Sequence, residues 1–191
     1  MKLLEDRINK DGHVLNNEIL KVDSFLNHQI DVNLIDKIGE AIAEQFKDQK
    51  PTKVVTIETS GIAVAYAAAM HLDNVPLVFA KKQKSKITSE NSYITNVKSF
   101  TKGIDYPVAI SKDYVSKGDV VVIVDDFLAE GNASLGLIDL CNQAGAKVAG
   151  IGIAIEKGFQ GGRKKLEALG IKVYSAAIVK EFKDNKVVFD N

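Results

Sequence analysis

Cysteine is almost missing: Cys141 is the single one in 191 residues, which excludes a disulfide framework and a cysteine-built zinc module. Proline occurs three times, and no Pro/Gly-rich linker, repeat or low-complexity tract divides the chain, so residues 1–191 read as one domain. Neither sign of charge is in excess, with 25 basic and 25 acidic side chains. The broad positive surface that non-specific nucleic-acid binding needs is therefore not expected. Arginine is scarce, Arg7 and Arg163 alone, so any phosphate recognition would lean on lysine and backbone N–H groups. Long apolar runs are missing too. The longest run of large aliphatic side chains, Val120 to Val124, has five residues, against about 20 for a membrane-spanning helix. The start, Met1 to Arg7, turns acidic before an apolar stretch can form, so no secretory signal is expected. No membrane partner and a cytoplasmic location follow as expectations.

What is present suits a folded α/β domain. Hydrophobic residues make up 46% and charged residues 26%, too apolar a mixture for disorder. A chain of this length buries roughly two-thirds of its unfolded surface, enough for a core without metal or disulfides. Leu34, Ile35, Ile38, Ala41, Ile42 and Phe46 recur at helical spacing and predict an amphipathic helix. Val54 to Ile57 reads as a buried strand broken by Gly61, Ile62 to His71 as an Ala-rich helix, and Pro76 to Ala80 as a short strand. Residues 81–112 read as an exposed hairpin or flexible hood. Beyond a turn at Lys117 to Asp119 come a strand at Val120 to Val124, a loop at Asp125 to Gly131 and a helix at 132–143 that stops at Gly145. Val148 to Ile155 and Val173 to Val179 read as strands, separated by a short helix from Arg163 to Leu169. Alternating strands and helices predict a mostly parallel sheet covered on both faces, with chemistry in the loops beyond the carboxyl ends of the strands.

One segment fits that position. After Val120-Val121-Val122-Ile123-Val124, two adjacent carboxylates, Asp125 and Asp126, stand where neither is expected to enter the core unpaired, so they should face a ligand, a metal or solvent. Small residues then open a helix, and the amides of Glu130 to Ser134 can converge on an anion. Carboxylates for hydroxyls or a cation, beside amides for phosphate, match a phosphorylated sugar. Glu58-Thr59-Ser60-Gly61 repeats the strand–turn–helix arrangement and can hold a second anion. On residues alone, Asn27 also reads as a helix-end cap, Lys157 as a surface charge and Lys81-Lys82 as a solvated run. His13, His28 and His71 show no ligand spacing, and Cys141, among Leu137, Ile138 and Leu140, reads as a core thiol.

The stretch Val120 to Ser134 resembles the ribose-phosphate motif of the type I phosphoribosyltransferases. The resemblance extends to Val22–Asp31, Thr56–Ile62 and Gly150–Lys157, most closely in the branch that takes xanthine. It implies the type I phosphoribosyltransferase fold with a small N-terminal hood, residues 1–32, over the base pocket. It implies Asp125 and Asp126 as catalytic residues against the ribose hydroxyls of phosphoribosyl diphosphate (PRPP), and Ala129, Glu130, Gly131, Asn132 and Ala133 around its 5-phosphate. Ser60 and Lys81 would serve the diphosphate, with Lys81 or Lys82 reaching into the neighbouring subunit of a homodimer. Leu20, Asn27 and Lys157 would contact the base, and Mg²⁺ would accompany PRPP. An ammonium such as Lys157 donates to a carbonyl oxygen and cannot accept from an amine, which favours a 6-oxopurine over adenine, while Asn27 can donate and accept at a second carbonyl edge. Four positions depart from the family pattern. Ala129 replaces the aspartate of the hypoxanthine-guanine branch, Ser60 stands where related adenine enzymes often have arginine, and Glu130 and Asn132 replace the common Thr and Gly. The rival readings are a PRPP-sensing gene regulator, for which no DNA-binding module is evident, a receiver or nucleotide-binding α/β domain, and an enzyme preferring guanine or hypoxanthine.

Overall fold

The computed structural model describes residues 1–82, 91–98 and 105–190. Helix α1 (Lys2–Asp11) leads to a two-stranded hairpin, β1 (His13–Leu15) and β2 (Ile19–Lys21), and then to a single π-helical turn, Asp23–Asn27. The rest alternates: α2 (Val32–Phe46), β3 (Lys53–Ile57), α3 (Gly61–His71), β4 (Leu77–Lys82), β5 (Ser92–Lys98), β6 (Asp105–Ser111), β7 (Val120–Leu128), α4 (Asn132–Ala144), β8 (Lys147–Lys157), α5 (Gly162–Glu167), β9 (Val173–Lys183) and β10 (Lys186–Phe189). One eight-stranded sheet runs β10-β9-β8-β7-β3-β4-β6-β5, parallel from β9 to β4 and antiparallel at both ends. The α/β class and mostly parallel sheet expected from the sequence are present.

Each central element forms for a local reason. β7 starts with five β-branched residues, and Val121 to Val124 are fully buried because helices cover both faces. Helix α2 starts at Asp31, whose Oδ1 accepts the Leu34 N–H at 3.1 Å. That amide and the Arg7 guanidinium, 2.6 Å from Oδ2, hold the Asp31 carboxyl below the usual carboxylate range. Its buried face, including Leu34, Ile35, Ile38, Ile42 and Phe46, packs against α3 so closely that a Cβ at Gly39 would lie 2.5 Å from Ala67. Full burial of such side chains is worth roughly 1.5–3 kcal/mol each. Helix α4 ends in Gly145 at φ +70°, where a side chain would be strained.

Helices α1, α2 and α3 share one core with one face of the sheet, and α4 and α5 share the other. The chain leaves β3 toward β4 and leaves β7 toward β8, in opposite directions from neighbouring strands. That divergence opens a crevice at the carboxyl ends of β3 and β7. The hairpin expected within 81–112 is present as β5–β6, joined to the sheet through β4–β6; residues 83–90 and 99–104 of that stretch lie outside the described residues. Gly136 of α4 lets the hairpin approach, since a Cβ there would sit 2.5 Å from Val97.

Candidate active site

The loop expected from Asp125 is instead strand. β7 continues to Leu128 because β8 carries its pairing onward, Asp125 opposite Ile153 and Leu128 opposite Glu156. On the other edge the ladder to β3 reaches only Val55–Ile123. The acid pair therefore lies where β7 has lost one neighbour and the crevice begins. Asp125 does enter the interior, at 5% exposure, but not unpaired. Its Oδ1 accepts the Asp126 N–H at 3.0 Å, and Gly61, opening α3, sits against it: a Cβ there would be 2.6 Å from both Asp125 Oδ1 and Thr56 Oγ1. Only glycine allows that approach. Burial, then the neighbouring Asp126 charge, push the Asp125 carboxyl well above the usual range. Burial also raises Asp126. Lys82 of β4 opposes both shifts, so the pair has a nearby cation in its own chain.

The turn after β7 is a cup of amides. Gly131 adopts φ +82° and precedes α4 with no side-chain cap. Among the described residues, the backbone N–H groups of Glu130 to Ser134 donate to no protein acceptor. α5 supports the cup from outside: the Gly162 N–H donates to the Ala129 carbonyl at 3.1 Å, and a Cβ at Gly131 would lie 3.2 Å from Gly162 Cα. The Asn132 side-chain Nδ2 donates to the Lys98 carbonyl of the hairpin at 3.2 Å.

Across the crevice, the Glu58–Ser60 turn is anchored to β4 through Glu58 Oε1, which accepts the Lys82 N–H at 2.6 Å, and through the Glu58 N–H, which donates to the Ala80 carbonyl at 3.1 Å. Thr59 and Ser60 line a cavity of about 780 Å³ together with Asn27, Ile30, Tyr66 and Met70. Lys81 and Lys82 alternate along β4 and point to opposite faces. The Lys82 ammonium lies 5.3 Å from the Tyr106 ring centre and Lys81 lies 5.8 Å from that of Phe79.

The expected base contacts are spread over three elements. Asn27 closes the π-helical turn and is exposed to the cavity it shares with Ser60. Lys157 ends β8, donates to the Glu18 carbonyl in the β1–β2 turn at 3.1 Å, and lies 5.8 Å from the Phe182 ring centre. Half-burial lowers its ammonium below the ordinary lysine value. Leu20 pairs with Val14 in the hairpin and packs into the core at 6% exposure.

The phosphoribosyl transferase domain profile matches residues 21–184. This chain belongs to the phosphoribosyltransferase family. A Clostridium tetani protein named xanthine phosphoribosyltransferase is 51% identical over 189 residues, covering 99% of this chain and all of that one. A Clostridioides difficile protein of the same name is 50% identical with the same coverage. Among solved structures, the adenine phosphoribosyltransferase of Rhodothermus marinus has a TM-score of 0.75 at 25% identity, covering 94% of this chain and all of that one. The enzyme of Giardia lamblia complexed with 9-deazaadenine has a TM-score of 0.76 at 22% identity, over 92% and 96%, a likeness of fold.

Sequence reading missed several side chains around this crevice. Glu156, next to Lys157, is 2% exposed. Its carboxylate takes Arg163 Nε at 2.9 and 3.1 Å, Arg163 Nη2 at 2.5 Å and Ser175 Oγ at 2.5 Å. Arg163 also donates to the Val173 carbonyl at 3.0 Å, tying β8, α5 and β9 together. Removing Arg163 would leave the buried Glu156 carboxylate without its cation, which is destabilising. A second link joins two turns 168 residues apart: the Asn185 N–H donates to Asn17 Oδ1 at 2.8 Å and the Asn17 N–H to Asn185 Oδ1 at 3.2 Å. Asn16-Asn17 and Asp184-Asn185 all have positive φ; Asp184-Asn185 is the two-residue turn between paired Lys183 and Lys186, whereas three residues separate paired Leu15 and Ile19, and such Asn/Asp pairs are a readable turn signal.

Proposed function

We propose that this chain transfers the 5-phosphoribosyl group of PRPP to xanthine, giving XMP and diphosphate in cytoplasmic purine salvage. The observation that carries the reading is the buried acid pair beside a cup of unpaired amides at the β3/β7 crevice. The amides of Ala129 to Ala133 hold the 5-phosphate, and Asp125 and Asp126 accept from the ribose hydroxyls. Both carboxyls sit above their ordinary values because burial favours the neutral form, and hydroxyl donors or a cation would draw them back toward carboxylate. As the bond to diphosphate breaks, positive charge grows on the ribose ring, and preorganised negative charge there helps most in the transition state.

The Glu58–Gly61 turn takes the diphosphate with Ser60. Hard oxygen donors such as Asp125 and Asp126 suit Mg²⁺, and Mg²⁺ carried on PRPP would offset charge on the leaving diphosphate. Asn27 and Lys157 read the base. Full-length identity of about half to proteins named xanthine phosphoribosyltransferase supports xanthine over guanine or hypoxanthine, and a desolvated ammonium supports an oxopurine over adenine. Nucleotide formation from a panel of adenine, hypoxanthine, guanine and xanthine with PRPP and Mg²⁺ should give the highest kcat/KM with xanthine; preference for adenine, or no nucleotide with any base, would reject the reading.

The proposal includes a homodimer with shared sites. Exposed Ile30, Val32, Tyr66 and Met70 beside Ser60 form an apolar face suited to a second copy, and Lys81, on the opposite face of β4 from Lys82, is the lysine free to reach a partner. Inactive Asp125→Asn/Asp126→Asn chains exchanged with inactive Lys81→Ala chains should recover about a quarter of wild-type activity, because half the dimers are mixed and each holds one intact site. No recovery, with exchange confirmed by mass, would place Lys81 in its own subunit's site.

A further inference from the structure

The amide cup carries a carboxylate of its own. Glu130 lies within the turn proposed to receive a phosphate dianion, where a negative side chain works against binding. Its orientation is fixed from outside the cup. Lys165 of α5 donates to Glu130 Oε2 at 2.7 Å and to the Glu130 carbonyl at 3.0 Å. A Cβ at Gly161 would lie 3.9 Å from Glu130 Oε2 and 3.7 Å from Lys165 Cε, so the carboxylate is turned onto the start of α5. The ammonium beside it holds the Glu130 carboxyl below its usual range.

The support is rigid on both sides. Gly162 packs on the cup so tightly that a Cβ there would be 2.3 Å from the Ala129 oxygen, and the next residue, Arg163, locks α5 to buried Glu156. Lys165 is thus anchored to the same short helix that braces the phosphate turn. The turn's one acidic side chain and α5's ammonium meet because Gly162, Arg163 and Lys165 each engage a different neighbour.

We propose that Lys165 is a positioning residue for PRPP: it holds the Glu130 carboxylate outside the amide cup and cancels its charge, so that the cup can accept the 5-phosphate. This rests on the reading of residues 129–133 as the 5-phosphate site. Both side chains are partly exposed, Glu130 at 34% and Lys165 at 46%, so the effect is moderate and responds to salt. Without Lys165, the carboxylate is free to swing toward the phosphate uncompensated. Without Glu130 as well, nothing is left to compensate.

The test is steady-state kinetics on Lys165→Ala, Glu130→Gln and the double variant, at low salt and at about 0.5 M salt, where the screening length is only a few ångströms. Lys165→Ala should raise the KM for PRPP by about 3- to 10-fold at low salt, with kcat and the KM for xanthine changing far less, and the increase should shrink at high salt. The double variant should return to the PRPP KM of Glu130→Gln alone. A purely structural role for Lys165 would give a loss that salt leaves unchanged and that persists in the Glu130→Gln background; that result, or an unchanged KM in Lys165→Ala, overturns the proposal. A wild-type enzyme that forms no nucleotide from PRPP would overturn the phosphate-site reading with it.

Discussion

The proposed site has two halves, one assigned to PRPP and one to the base, and they are built by different means. The PRPP half comes from two strand–turn–helix units, β3–α3 and β7–α4, whose functional groups are adjacent in sequence and placed at the crevice by the parallel sheet. The base half is assembled from an N-terminal hairpin, a π-helical turn, the end of β8 and the β9–β10 turn, held by links such as Lys157 to Glu18 and Asn17 to Asn185. One half is local and preorganised by backbone; the other is a composite held by side chains. Chemistry and base choice should therefore be separable by mutation.

The largest expected effect falls on the PRPP half. Asp125→Asn with Asp126→Asn preserves volume and removes charge, so turnover should fall by at least about 10²-fold while the order of preference among bases is retained. Near-normal turnover in that variant would remove the acid pair from the chemistry. On the base half, Asn27→Ala should reduce the xanthine-to-hypoxanthine preference by about 10-fold, the scale of one unpaired polar group, with the KM for PRPP little changed. An equal loss across all bases would show that Asn27 does not read the second carbonyl. Asn185→Ala breaks the clasp between the two turns and should raise the KM for xanthine by only about 2- to 5-fold, the worth of exposed neutral hydrogen bonds.

The smallest effect is on stability, and its sign opposes the loss of activity. Because folding raises the Asp125 pKa, the native state binds more protons than the unfolded chain between the ordinary aspartate value and the raised one, so its contribution to stability falls as pH rises through that window. Asp125→Asn should therefore raise Tm at neutral pH by about 2–4 °C, the shift expected for about 1 kcal/mol in a domain of this size. The gain should fade as pH approaches 4. A lower Tm at pH 7, measured by calorimetry, would mean that the buried carboxylate is compensated by protein groups.

The difference between the halves also governs what the sequence reveals. A run of five β-branched residues, two carboxylates and a small-residue turn is legible because strand, site and helix start follow in order. Even there, the strand's continuation through Asp125 to Leu128 depends on pairing with β8, which no local pattern encodes. α1 places only Leu4 and Ile8 in the core, too few for a period to register. β1 and β2 are three residues each, below the length at which alternation is distinctive. The Asn-Asn and Asp-Asn turns do carry a local signal, but their meeting across 168 residues is purely tertiary. Arg163 is legible as one of two arginines, whereas its hold on Glu156 depends on how β8, α5 and β9 pack.

The separation of the two halves is tested most directly at Lys157, the side chain whose desolvated ammonium is assigned to the 6-oxo group. The measurement is kcat/KM for xanthine in Lys157→Ala, set beside the Kd for PRPP of the same variant by calorimetry with Mg²⁺. The account predicts that kcat/KM falls by at least about 10-fold, as a lost charged hydrogen bond demands, while the Kd for PRPP stays within about twofold. Parallel loss of both, in a variant whose folding is intact, would contradict the division between a PRPP half and a base half.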